Sequence, residues 1–119
     1  MSTTLLKEID HRPLSLYNDA TDVYVAMDGG RVDKIVMADG TQTVFKIFND
    51  KVNAITKAIE EANLYIGLAS GELKQVVIAT GVVSTLEIFD SAIISLCMYG
   101  SAMYIGLANG QIRFRDFSA

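Results

Sequence analysis

Three aspartates stand at even intervals along the chain, Asp10, Asp50 and Asp90, at steps of 40 and 40 residues. Carboxylates gathered around one opening would offer hard oxygen ligands to a cation, or an anionic rim to a basic partner. Each taken alone has a plainer use, accepting backbone N–H bonds in a turn, and that is the expectation for aspartates in loops. Nucleophilic chemistry is thinly provided. His11 is the only histidine and sits in the polar run Asp10-His11-Arg12-Pro13, a solvated turn and not a base held beside a nucleophile. Cys97 is the only cysteine and lies among Ile94, Leu96 and Met98, so a small core residue is expected there, since a thiolate needs a cationic neighbour. One Cys and one His cannot build a zinc site, and Asp28-Gly29-Gly30-Arg31 has neither spacing of a phosphate loop. No catalytic residue, metal or cofactor is expected, and the chain does not read as an enzyme.

Composition narrows the partners. The 119 residues are 50% apolar and 20% charged, which excludes a disordered chain. Ten basic against 14 acidic residues give a net charge of -4 and no electrostatic footprint for nucleic acid or an anionic membrane. The first eight residues lack the pattern of a secretion signal and a single cysteine makes no internal disulfide, so the cytoplasm or a virion is expected before secretion. Ser91 to Ile112 carries no charge over 22 residues, and a spanning helix needs about 20 predominantly apolar residues. Yet this stretch holds eight Ser, Gly, Asn and Gln residues and aligns with a segment carrying Lys57, Glu60 and Glu61, so its neutrality reads as burial.

What must position the aspartates is a threefold repeat. Leu64-Tyr65-Ile66-Gly67-Leu68-Ala69-Ser70-Gly71 returns as Met103-Tyr104-Ile105-Gly106-Leu107-Ala108-Asn109-Gly110, and more weakly as Val23 to Gly30, with the tyrosines at steps of 41 and 39. Within each unit the turn residues mark four short strands, a to d. Strand a is expected at Leu14 to Tyr17, Val52 to Ile59 and Ile93 to Met98. Strand b is the Tyr-Ile-Gly-Leu segment, which ends in Gly30, Gly71 or Gly110, residues suited to the positive φ of a hairpin turn. Strand c follows at Val32 to Met37, Leu73 to Ala79 and Ile112 to Phe117, and strand d at Val44 to Phe48 and Val83 to Phe89, after Gly40 and Gly81. The third unit has no d strand of its own; its counterpart is Leu5 to Ile9. The b strands are apolar at every position, as when both faces of a sheet are covered.

A four-stranded meander of about 40 residues, with an opening strand that completes the last unit, resembles the blades of a β-propeller. The resemblance implies an all-β chain of three antiparallel blades, circularly permuted: residues 1–12 a latch strand, 13–50 blade 1, 51–90 blade 2 and 91–119 the first three strands of blade 3. Propellers close with about four to eight blades, so three blades imply closure with a second copy into a six-bladed ring, or with two more copies into a larger one. In the dimer Leu5, Leu6 and Ile9 of one copy would latch onto Ile112 and Phe114 of the other. A β-trefoil, also three units of four strands, is the alternative fold. The expected function is a non-catalytic scaffold whose loops meet a macromolecular partner, a virion component included. The alternative is a lectin-like ring with sites at blade junctions, against which Tyr24, Tyr65, Tyr104, Phe48, Phe89 and Phe114 all read as core and not as exposed sugar platforms.

Overall fold

The structure of the chain, a computed structural model, describes residues 3–10, 12–57 and 62–117. They form three antiparallel sheets. The first holds β1 (Pro13–Asn18), β2 (Asp22–Met27), β3 (Arg31–Val36) and β4 (Gln42–Ile47). The second holds β5 (Val52–Thr56), β6 (Asn63–Leu68), β7 (Glu72–Val77) and β8 (Val83–Ile88). The third holds β9 (Ile93–Tyr99), β10 (Ala102–Leu107) and β11 (Ile112–Asp116). Every sheet is a simple meander, and among the described residues no ladder joins one sheet to the next. A β-trefoil needs strands of different units paired into one barrel, so that alternative is set aside. The strands lie close to where turn residues and apolar runs placed them, with two exceptions: Leu5 to Ile9, expected as a strand, forms none here because no third strand lies beside it to pair with, and β5 stops at Thr56, the rest of the expected run to Ile59 lying outside the described residues.

The turns show why. Between the strand bounds the b-to-c loops have three residues in the first two sheets and four in the third, with Gly30, Gly71 and Gly110 at φ of 85°, 93° and 91°, a left-handed position that glycine fills without a Cβ clash. The a-to-b loop of the first sheet uses a side chain instead. Asp19 Oδ1 accepts bonds from the backbone N–H groups of Thr21 at 2.9 Å and Asp22 at 2.8 Å, and the Thr21 bond holds its carboxyl below the usual carboxylate range.

The sheets stack through their apolar faces, with β5 packed against both β1 and β9. Tyr24, Ala26 and Val32 of the first sheet meet Val52, Ile55, Leu64, Ile66, Leu68 and Val76 of the second. Tyr65, Leu73 and Phe89 of the second meet Ile93, Met103, Ile105 and Leu107 of the third. Two side-chain bonds tie the first strands across these junctions, Asn53 Nδ2 to Ile93 O at 2.9 Å and Ile55 N–H to Ser15 Oγ at 3.3 Å. Each apolar side chain buried in such a junction contributes about 1.5–3 kcal/mol.

The units repeat down to their irregularities. The first strand of each sheet has one extra residue against its neighbour (Leu14, Asn53, Ile94). The fourth strands bulge at Phe45 and Leu86, and both bulged side chains pack against the inter-sheet clusters.

Candidate functional site at two unmatched sheet faces

Because the ladders share one register, equivalent positions can be named. Tyr24, Tyr65 and Tyr104 form one column, and Val32, Leu73 and Ile112 another. Tyr24 and Tyr65 are 2% and 1% exposed, but Tyr104 is 40% exposed; Val32 and Leu73 are fully buried, but Ile112 is 78% exposed. Beside them Phe114 is also exposed, its ring 5.8 Å from that of Tyr104. The chemistry of the column is unchanged, and what differs is the neighbour. The first two sheets are covered on this face by the next sheet, whereas the third is covered by nothing among the described residues, and its edge strand β11 has no outer partner there.

This corrects three sequence expectations. Tyr104 and Phe114 are not core here. The double coverage expected for the second strands holds for β6 but not for β10, where burial alternates. Cys97, expected in the core, is exposed, because it lies on the same open face; its column mates Tyr17 and Thr56 are packed into the first junction and buried, respectively.

Gly110 differs in the same way on the backbone side. A Cβ on Gly30 would lie 2.9 Å from the carbonyl oxygens of Phe48 and Asp50, and one on Gly71 would lie 2.8 Å from that of Ser91, while one on Gly110 meets nothing within 4 Å among the described residues. In the first two sheets the chain leaving the fourth strand passes over the glycine turn, and the Phe48 and Phe89 N–H groups donate to Gly30 O and Gly71 O at 2.7 and 2.8 Å.

The opposite end of the stack carries the complementary face. Val25, Met27 and Ile35 of the first sheet are buried with Ile9 and Val23 packed against them. A groove of about 220 Å³ there is lined by Leu6, Lys7, Ile9, Pro13, Leu16, Val23, Val25 and Ile35. Residues 3–9 form no ladder, with Leu5 exposed and Leu6 half-exposed. By strand alternation Arg31 and Asp33 share this face with Ile35. Asp33, 1% exposed, pairs with Arg31 Nε at 2.8 Å and accepts a bond from Gln42, so the buried carboxylate has polar partners.

The periodic aspartates are not one structural column. Phe48 and Phe89 occupy equivalent places, so Asp90 corresponds to Asn49, and Asp50 to Ser91. The even step of 40 arises because the structural steps here are 39 and 41. Asp50 Oδ1 accepts from Lys51 N–H at 2.7 Å, Asp10 lies 3.7 Å from Arg31, and Asp90 is exposed. Among the described residues no group of three acidic, His or Cys side chains could hold a metal. His11 lies outside the described residues, and among the described residues no helix is long and apolar enough to cross a membrane.

No protein-family model and no curated protein matches this sequence. Solved structures do match in fold. The chain is similar to the computationally designed Ika4 protein (TM-score 0.77, 17% identity, 95% of this chain and 72% of that one). It is also similar to the WD40 β-propeller domain of Doa1 (TM-score 0.81, 17% identity, 93% and 39%) and to U3-55K (TM-score 0.82, 12% identity, 95% and 38%). The chain thus spans well under half of the last two. The sheets are β-propeller blades.

Proposed function

Starting from propeller blades whose third sheet exposes Tyr104, Ile112 and Phe114 and whose first sheet carries a groove lined by Leu6 and Ile9, we propose that this chain is a non-catalytic scaffold that completes its ring by self-association. Two copies supply six blades, and a third copy would enlarge the ring. In this reading residues 1–12 serve the third blade of a neighbouring copy, 13–50 and 51–90 are whole blades, and 91–119 is the blade that receives the latch. The b-to-c turns and the d-to-a loops lie together at one end of the blades, since Gly30 and Gly71 abut the backbone of those loops. That end, with Asp50 and Asp90, is the surface offered to a macromolecular partner, in a virion or another large assembly.

The observation that carries the reading is the tyrosine column, buried in two blades and 40% exposed at Tyr104 in the third. A central interface aromatic contributes about 2 kcal/mol or more when truncated, and a charge in its place adds a desolvation cost. Tyr104→Glu is therefore expected to yield a folded monomer. The check is sedimentation velocity with circular dichroism on the same sample. A Tyr104→Glu protein that associates as the wild type does would remove this face from the interface. The exposed Tyr104–Phe114 pair is also a surface on which a sugar could stack, so glycan-array binding lost in Tyr104→Glu but with wild-type mass would favour the lectin reading.

A further inference from the structure

In the first two blades, the fourth strand does two jobs. It pairs with the third strand of its own blade, and it presses a bulged side chain and a terminal aromatic onto the next blade: Phe45 and Phe48 onto the second, Leu86 and Phe89 onto the third. Leu6 and Ile9 have this spacing. Three backbone bonds fix the correspondence, Asp28 N–H to Arg12 O, Ala69 N–H to Lys51 O and Ala108 N–H to Ala92 O. Counting back from Arg12, Lys51 and Ala92 makes Ile9 equivalent to Phe48 and Phe89, and Leu6 to the bulged Phe45 and Leu86.

Residues 6–9 already do the second job within their own chain. Ile9 packs on Val25, Met27 and Ile35 as Phe48 packs on the second blade, and Leu6 and Lys7 line the groove beside it. The Leu6 carbonyl lies 3.5 Å from a Cβ built on Gly40, where Lys46 Nζ lies 3.5 Å from one on Gly81. The segment thus rests where an outer strand belongs, with the blade it should pair with missing.

From this we infer that residues 3–9 are a preformed outer strand held by blade 1, and that its occupant is β11 of a second copy, in a single register. Glu8 stands opposite Gln111, Lys7 opposite Ile112, Leu5 opposite Arg113, Thr4 opposite Phe114 and Thr3 opposite Arg115, with Leu6 bulged. The Ile9 N–H donates to Gly110 O, filling the space that Gly110 leaves open. This is edge-strand addition, and the segment need not leave its own blade for the ring to close. The register follows from the ladders Arg31–Ile47, Val32–Lys46, Asp33–Val44 and their counterparts in the second blade. The inference rests on the self-association proposed above.

Glu8→Cys with Gln111→Cys, in a chain with Cys97→Ser, tests the register. Both positions are exposed, and both belong to a pair of the non-hydrogen-bonded type, whose Cα separation of about 4.5 Å suits a disulfide. Mild oxidation is expected to link copies covalently, as read on a non-reducing gel, and Glu8→Cys with Arg113→Cys, displaced by two residues, is expected to link at least tenfold less. Equal or reversed linking in a protein that still associates overturns the register while leaving self-association standing. A monomer in solution, with neither pair linking, overturns both.

Discussion

Deleting residues 1–10 is expected to abolish the proposed self-association and to leave a chain that is monomeric or insoluble. The effect is large because the segment serves two surfaces at once. Within its own chain it covers the blade-1 face of Val25, Met27 and Ile35, and without Ile9 that face becomes a second exposed apolar patch besides Tyr104, Ile112 and Phe114, prone to non-specific association. Between chains it would supply the pairing strand of β11. With about four backbone bonds at each of two junctions and about 0.5–1.5 kcal/mol per bond, the loss is on the order of 4–12 kcal/mol, about three orders of magnitude in affinity or more. Light scattering and circular dichroism on the truncated chain are the measurements. A truncated protein that stays dimeric and folded contradicts the latch.

The second large effect separates folding from assembly with one substitution at two equivalent turns. Gly71→Ala places a Cβ against the Ser91 carbonyl and forces a side-chain-bearing residue to φ near 93°. Backbone strain of this kind costs about 1–3 kcal/mol, and the collision with backbone adds to it, so a loss of about 3 kcal/mol or more is expected in urea denaturation. Gly110→Ala meets the same φ, 91°, but open space. Its cost to the fold is the strain alone, about 1–2 kcal/mol. In the closed ring, however, the neighbour's backbone after Ile9 passes over Gly110, so Gly110→Ala is expected to weaken assembly far more than it weakens folding. If the two variants lose equal stability and Gly110→Ala assembles normally, the turn of the third blade is not a docking point.

Much of this architecture was legible before any coordinates. The b-to-c loops were marked by Gly30, Gly71 and Gly110, because a positive φ is a local demand that residue type reveals, and the apolar runs between turns fixed where strands could lie. The exposed character of Tyr104, Phe114 and Cys97 was not legible. A column position says which way a side chain points, but burial depends on whether a neighbouring sheet is present, and no local signal records that. The equivalence of Asp10, Asp50 and Asp90 failed for a related reason. Even spacing in sequence does not guarantee equal structural steps when loop lengths differ, and the Phe48–Gly30 and Phe89–Gly71 bonds reveal the offset. Asp19, which organises the first a-to-b turn, was passed over because nothing in the repeat marks it.

The mass of the assembled particle in solution bears on the central claim most directly, since blades with an exposed apolar face on the third sheet are proposed to be finished by copies of themselves. Multi-angle light scattering at micromolar concentration is predicted to give twice the 12.9 kDa of one chain, and a well-folded species of 12.9 kDa at that concentration would contradict it.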